Sequence, residues 1–413
     1  MPVDRVTEVL AGELQELARK GTLKGEEGVI VEVIPPREGK GPRYRLEGEG
    51  DREFLRMNSN GYLGMSLRSE VIAAEEEASR RYGTGPGAVR FISGTYAAHV
   101  ELERRLATFH GRQACMIFSS AYATTMGVLP ALVNGETALI SDELNHNCII
   151  NAMRLARPKE KHIYPHLDLS ELASRLEQAA GSCRRAILVT DGIFSMRGDH
   201  APLAEIMALA ARYDERFAEN VLVIADDSHG VGALGATGRG TEEFTGAAVD
   251  LLVATLGKAL GVNGGYVVAS APLVDYLREK AAFYIYSNPI TPAEAAAALA
   301  ALELLDSPRG RELLEHLRTM TARFEHGLVD RGLVDRGFET IPGEHPVVPL
   351  MVRDTARTSA LVRHLRENGI LATGLNYPVV PKGDEEIRFQ ISADHTPSDI
   401  DFALEVLAAF RDG

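Results

Sequence analysis

From residue 97 onward the chain alternates two textures. AAHVELERRLATFHG places apolar residues at helical spacing and stops at a glycine, which predicts an amphipathic helix. ACMIF, TALIS, KHIY, RAILVTDG, NVLVIADD, DLLVATLG and GGYVVAS are short, nearly continuous apolar runs. Continuous rather than alternating hydrophobicity predicts strands buried on both faces. Helical patterns separate many of these runs. Together they predict an α/β domain around a mostly parallel sheet.

After residue 290 the pattern changes. PAEAAAALAALELLD and GRELLEHLRTMTARFEHGL predict long helices, and HPVVPLMV and EEIRFQIS predict shorter strands. A last helix opens at TPSDIDFALEVLAAF, with Thr396 as N-cap, Pro397 in the first turn and Asp399 suited to the positive helix start. Residues 327–336 read GLVDRGLVDR, a perfect tandem of five residues. One short duplication at a helix end is no solenoid, which needs many longer repeats. At the other terminus MPVDRVTEVLAGELQELARK predicts a charged amphipathic helix. VIVEVIPP and YRLEGEGDREFLRMNS predict short strands with a hairpin turn near GEGD. Three parts result: an N-terminal helix with short strands (1–55), a large α/β domain (56–290) and a smaller C-terminal α+β domain (291–413).

Composition narrows the function classes. The chain has 413 residues, 45% of them hydrophobic, which is ordinary for a globular protein. No apolar run reaches the roughly 18 residues a membrane span needs. The N-terminus lacks a signal peptide's apolar core, so a cytoplasmic protein without a membrane partner is expected. A net charge of −14 argues against broad nucleic-acid binding. The three cysteines, Cys115, Cys148 and Cys183, are too dispersed for a disulfide framework or a CxxC metal pair. Cys148 reads as a small buried hydrophobe.

Three glycine-rich stretches compete for a ligand. GVGALG (230–235) matches G-x-G-x-x-G after the run NVLVIADD, and Asp250 follows at a suitable distance for a ribose contact. A nucleotide-dependent oxidoreductase would use it, but Gly238 and Gly240 oppose the helix that this fingerprint requires. LGKAL is not a P-loop: Leu252 stands at its first glycine and Ala259 at its Ser/Thr. YGTGPGAVRFISGT (82–95) fits a ligand approach or a structural loop equally well.

Lys258 poses the chemical question. It follows the apolar run Leu251 to Thr255, where an unpaired buried ammonium would be costly. In ADDSHG (225–230) two aspartates and a histidine end another strand, where open α/β sheets bind ligands. Metal binding is an alternative there, but no HExxH or similar ligand pair accompanies it, so no metal is expected. A carboxylate and a lysine at two strand ends fit pyridoxal phosphate. Its ring nitrogen needs an acidic partner to stay protonated, its aldehyde needs an amine, and its phosphate needs helix N-terminal amides. FSSAYATTMGVL (118–129) supplies such a strand-to-helix turn.

With these residues in view, the chain resembles the α-oxoamine synthases, a family of fold-type I pyridoxal phosphate enzymes. SNGYLG, VRFISGTYAAHVELE, SDELNHN, DGIFSM, DDSHGVG, TLGKALG, YSNPITP, YPVVPKG and IRFQISADHT carry the resemblance over residues 55–411. VRFISGT, TLGKALG and YPVVPKG bring it nearest to the members that acylate glycine. The resemblance implies an acyltransferase that joins glycine, or another small amino acid, to a short acyl-CoA such as acetyl-CoA. The product is a β-keto amino acid plus CoA. A decarboxylating condensation of alanine with a longer acyl donor is the alternative within the family.

The resemblance also implies roles. Lys258 binds the cofactor covalently and moves the α-proton. Asp226 pairs with the ring nitrogen, His229 bonds the phenolic oxygen, His146 stacks on the ring and Ser195 lies near that oxygen. The amides of Ala121 and Tyr122 and the hydroxyl of Thr255 hold the phosphate. Ser287 and Asn288 reach the phosphate of a neighbouring subunit, which implies a homodimer with shared sites. Arg388 forks onto the amino-acid carboxylate, assisted by Asn60. The chain departs from the family at Gly61, where Asn or Asp is usual, and at Arg197, where an acid is common. The loop KALGVNGGY is one residue shorter. Phe91 is bulky and points to a short acyl pocket.

Overall fold

The computed structural model describes residues 3–411 except 21, 24–26 and 378. Met1 and Pro2 of the N-terminal pattern and Pro378 of YPVVPKG lie outside the described residues. Among the described residues there are fifteen strands: β1 (Ile30–Ile34), β2 (Arg43–Leu46), β3 (Leu55–Arg56), β4 (Ala114–Phe118), β5 (Thr137–Asp142), β6 (Glu160–Tyr164), β7 (Arg185–Asp191), β8 (Val221–Asp226), β9 (Leu251–Thr255), β10 (Gly265–Ala269), β11 (Glu339–Thr340), β12 (Val347–Met351), β13 (Ile370–Leu371), β14 (Thr373–Leu375) and β15 (Glu386–Gln390). The helices are α1 (Asp4–Arg19), α2 (Ser69–Tyr82), α3 (Ala97–Phe109), α4 (Ala121–Leu132), α5 (Asn147–Ala156), α6 (Leu169–Ala180), α7 (Leu203–Tyr213), α8 (Thr241–Thr245), α9 (Ala271–Lys280), α10 (Ala282–Ile285), α11 (Pro292–Leu305), α12 (Pro308–Asp330), α13 (Thr355–Glu367) and α14 (Pro397–Ala409).

All seven continuous apolar runs are strands of one sheet, ordered β4-β10-β9-β8-β7-β5-β6. Its pairs are parallel except those of β10, which runs antiparallel to β4 and β9. Neighbouring residues face opposite cores. Ile117, Ile140, Leu188 and Val223 point into one, and Met116, Leu139, Ile187 and Ile224 into the other. That two-sided burial is why the runs carry no polar alternation. KHIY departs from the expectation: β6 alternates exposed and covered positions, because it is the edge strand. Among the described residues no helix is long and apolar enough to cross a membrane.

A second, antiparallel sheet has the order β11-β12-β15-β14. The N-terminal hairpin forms across GEGD as expected, with Tyr44 and Phe54 exchanging backbone hydrogen bonds. It is tied to the C-terminal part: β3 pairs with β13, and Arg43 forms an ion pair with the buried Asp399. Asp399 also closes the capping box with Thr396 at the start of α14. The tandem is split between two conformations. Its first copy finishes α12 and its second contains a 3-10 turn at Val334–Arg336.

The parallel strands all end on one edge of the sheet, and α4 starts beside that edge. Gly265 on β10 allows this approach. A Cβ there would stand 2.2 Å from the amide nitrogen of Ala121. Gly265→Ala is therefore expected to push the start of α4 outward and to lower stability by about 1–3 kcal/mol, read by urea denaturation. Unchanged stability would show that α4 does not depend on this contact.

Candidate active site

Strand ends β5, β7 and β8 bring Asp142, Asp191 and Asp226 to one edge, with the loop after β9 carrying Lys258 beside them. A cavity there is lined by Ala121, Tyr122, His146, Ser195, Asp226, His229 and Lys258, joined by Cys148, Asp191, Ile193 and Ser228. Seven of the residues singled out from sequence thus meet around one space.

Two carboxylates act on Lys258 through their charge. Burial holds its amine below the usual lysine range; Asp226 and Asp191 oppose that shift, and Arg388 adds to it. A lysine placed this way loses its proton more easily than an exposed one. Asp226 is 7% exposed, and its oxygens are engaged on both sides. Oδ1 accepts from the Ser228 amide (3.2 Å) and hydroxyl (2.5 Å), and Oδ2 accepts from the Thr125 hydroxyl (3.3 Å). These bonds aim the carboxylate at the cavity.

His229 is buried and held well below the usual imidazole range, first by burial and then by the positive charges of Lys258 and Arg388. Its Nδ1 lies 2.7 Å from the Tyr62 hydroxyl, and its carbonyl accepts from His345 Nε2 at 2.9 Å. His146 caps α5, and its ring Nδ1 accepts from the Cys148 amide at 3.2 Å. Its own amide donates to Asp191 Oδ2 at 2.8 Å. Burial lowers the His146 ring as well, against the pull of Asp226.

The first turn of α4 supplies the remaining polarity. Ser120 caps it through the Ala123 amide (3.1 Å), and the first two residues of the helix, Ala121 and Tyr122, line the cavity. First-turn amides have no helical acceptor and carry the positive end of the dipole. A buried amine, a fixed carboxylate and these amides suit a ligand with an aldehyde, a ring nitrogen and a phosphate.

Other expected residues stand apart from the cavity lining. Arg388 donates to the Ser195 carbonyl at 3.1 Å. With the Gln390 amide turned to satisfy both its ends, its oxygen accepts from Arg388 Nη2 and Nε at 2.8 and 2.9 Å. In the other orientation of that amide its nitrogen donates to Asn60 Oδ1 at 3.3 Å instead. Thr255 donates to the Gly264 carbonyl at 3.1 Å and does not line the cavity. Ser287 and Asn288 lie near the surface, outside the lining. In GVGALG, no helix opens at the third glycine. A Cβ on Gly230, Gly232 or Gly235 would collide with Asp227, Ala259 or Glu243, so these glycines serve close packing. Among the described residues no group of three or more His, Cys, Asp or Glu could hold a metal.

Sequence reasoning missed Asp191. Burial and neighbouring Asp226 push its carboxyl well above the usual range, and it accepts from the backbone amide of His146, which also lines the cavity. The signal was present, since RAILVTDG ends in an acid just as NVLVIADD does.

Known proteins resemble this chain over nearly its whole length. A family model described as aminotransferase class I and II matches residues 52–407. An 8-amino-7-oxononanoate synthase from Geobacter sulfurreducens is 39% identical over 98% of this chain and 98% of its own length. The human mitochondrial 2-amino-3-ketobutyrate coenzyme A ligase is 39% identical, covering 96% of this chain and 90% of that protein. Among solved structures, a serine palmitoyltransferase variant from S. paucimobilis with bound PLP–myriocin superposes with a TM-score of 0.85. It is 25% identical and covers 98% of this chain and 97% of that one.

The buried histidines predict acid sensitivity. Burial brings His345 down to about 4 and His110 down to about 3. Both stay neutral in the fold while the unfolded chain protonates near pH 6.5, so stability is full above pH 6.5 and is lost as pH falls below it. From pH 7 to 5 the pair is expected to remove about 3–4 kcal/mol, read by urea titration at the two pH values. A flat profile would show that these rings are solvated.

Proposed function

The chain belongs to the aminotransferase class I and II family as one of its α-oxoamine synthases and works with pyridoxal phosphate. From that premise we propose that it condenses glycine, or another small amino acid, with a short acyl-CoA, most simply acetyl-CoA. A carbon–carbon bond forms at the α-carbon and the free thiol leaves. The observation that supports this most is the buried amine of Lys258 facing Asp226 across a cavity that adjoins Arg388. Decarboxylating condensation of alanine with a longer donor stands beside it. The 39% identity to the Geobacter protein supports that reading as strongly as the same identity to the human one supports glycine.

Pyridoxal phosphate, when bound, supplies an aldehyde carbon and a ring that withdraws electrons from the substrate's α-carbon. Lys258 would hold it covalently, and the amine, once free, would take a proton from the α-carbon, a task that its lowered pKa favours, the proton leaving with the thiol. Asp226 keeps the ring nitrogen protonated. His229, kept neutral by burial, offers a hydrogen bond to the phenolic oxygen, with Ser195 near the same oxygen. His146 covers the ring and excludes water. The amides of Ala121 and Tyr122 hold the phosphate, aided by Thr255. Arg388 grips the amino-acid carboxylate, with Gln390 fixing its fork and Asn60 assisting.

The active unit in this proposal is a cytoplasmic homodimer in which Ser287 and Asn288 serve the partner's phosphate. Surface apolarity supports a second copy. Val9, Leu10 and Leu14 on α1 are more than half exposed, as are Phe91, Ile92 and Tyr286.

The purified protein is expected to absorb near about 420 nm, a band that disappears in Lys258→Ala. Failure to take up pyridoxal phosphate would remove Lys258 and Asp226 from these roles. Arg388→Ala should raise the amino-acid KM about a hundredfold, since a charge-assisted fork is lost. An unchanged KM would exclude that role. Acyl-CoAs tested against glycine, alanine, serine and threonine, with thiol release and product mass as readouts, separate the two substrate readings. Light scattering should give twice the chain mass; a fully active monomer contradicts the shared site.

A further inference from the structure

Two loops meet beside the Lys258 site. One follows β5, where residues 143–145 lead into His146. The other is a hairpin after β7, closed by a bridge between Ile193 and His200 and by the Phe194 amide on the Asp199 carbonyl at 3.0 Å. Residues 143–145 and 194–197 both line a space of about 240 Å³ that adjoins the cofactor cavity at Ser195. His166, in the turn between β6 and α6, lines neither space and takes no part in the chemistry above. Its imidazole nevertheless spans the two loops. Nδ1 lies 3.0 Å from Asp142 Oδ1 at the end of β5, and Nε2 lies 3.2 Å from Asp199 Oδ2 in the hairpin. The ring also meets Phe194 edge-on, with centroids 4.4 Å apart.

This geometry requires a charged ring. A neutral imidazole has one N–H and one lone pair, so it can serve only one of two carboxylates and turns the lone pair on the other. An imidazolium donates from both nitrogens. Each carboxylate is also fixed from its own side. Asp142 is fully buried and accepts from the amides of Leu144 and Leu167 at 2.8 and 2.9 Å. Asp199 Oδ2 accepts from Arg197 Nε at 2.9 Å. Resting on the transferase reading above, we propose that His166 is a positioning residue of the active site. Its imidazolium clamps the loop before His146 to the hairpin that carries Ser195, and so sets where Arg388 stands.

The link to Arg388 runs through one bond. The Ser195 carbonyl accepts from Arg388 Nη1 at 3.1 Å, so a hairpin that shifts carries this acceptor with it. Arg197 stands where the family resemblance leads one to expect an acid. Here it adds a second cation on Asp199, where an acid would add a like charge. Burial alone would lower the His166 ring, but its hydrogen bonds to Asp142 and Asp199 and their charges outweigh that and hold it up at about 9. Two other titratable groups pack nearby. Glu143 accepts from the His166 amide at 2.9 Å, and Tyr164 is a buried phenol held above its usual range by burial and by Asp142. Glu386 lines the same space as Arg197, and burial pushes its carboxyl up to about 8. At pH 7 the clamp is therefore complete. Its contribution to stability is full below pH 6.5, where the unfolded chain's imidazole is charged as well, and is lost as pH rises through 9.

The test uses the holoenzyme and His166→Gln, whose amide stands in for a neutral ring. Nitrogen-15 NMR of labelled histidine reads the wild-type ring directly. Both nitrogens of His166 should carry protons at pH 7, and one should lose its proton near pH 9. Glycine and alanine, followed by spectral titration, should bind His166→Gln about tenfold more weakly than wild type at pH 7, and equally well at pH 10. Taking the ratio cancels the titrations of Glu386, Lys258 and the amino acids, which both proteins share. Urea denaturation should converge in the same way, with the variant less stable at pH 6 and matching wild type at pH 10. Asp199→Asn opens the clamp from its other end, so adding it to His166→Gln should weaken binding no further at pH 7. A neutral His166 ring at pH 7 overturns the proposal. So does a binding ratio that stays constant from pH 7 to 10, which would make the ring mere packing. Unchanged amino-acid binding in His166→Gln, or losses that add in the double variant, overturn it too. If glycine, alanine, serine and threonine all leave the wild-type spectrum unchanged, the amino-acid reading itself falls. The labelled ring and the urea comparison then still decide the clamp.

Discussion

A lysine amine cannot be buried at a strand end unless something compensates its charge, and this constraint organises the site. Here the compensation is two carboxylates at the ends of neighbouring parallel strands, Asp226 and Asp191. The carboxylates raise the same difficulty in reverse. Asp226 is anchored by Ser228 and Thr125, and Asp191 is tied to the His146 amide. Positive and negative groups therefore sustain one another around one cavity. Strand order matters because β7, β8 and β9 are consecutive in the sheet and put all three groups at one edge.

The secondary structure of the large sheet was legible because its strands are covered on both sides. Such strands consist of apolar residues broken by turns, and all seven runs emerged as strands. The edge strand β6 shows the limit of that rule. Of the cavity lining, Lys258, Asp226, His229 and His146 were readable from strand-end position together with family motifs. Asp191 was overlooked, although it closes a run of the same form as that ending at Asp226. Glu386 was invisible as a chemical group. A glutamate within EEIRFQ reads as a solvated strand residue until the packing of β12 and β14 buries it. Ser287 and Asn288 lie outside the cavity, and a single chain provides no local pattern that would say what they meet.

GVGALG illustrates how a motif and its geometry can part. Its glycines follow a buried strand, as a dinucleotide loop would. Their function here is to leave room. Gly230 makes way for Asp227, whose carboxylate accepts from the Thr241 amide at 2.7 Å and hydroxyl at 2.6 Å, and Gly232 makes way for Ala259 next to the lysine. Glycine spacing records close approach of some kind. Only the following helix would have made it an anion site, and that helix is absent among the described residues.

The tandem GLVDRGLVDR carries a different lesson. Leu328 and Leu333 are both fully buried, while Val329 and Val334 are both exposed, although one copy is helical and the other is not. Each pentamer brings its own apolar anchor and its own solvent-facing residue. A segment of this kind can be copied within a gene and accommodated at once, since the new unit docks as the old one did and the strands beyond it keep their register. Chain length at this corner is thus open to evolutionary drift, with the helix end serving as a place where the protein grows without redesign.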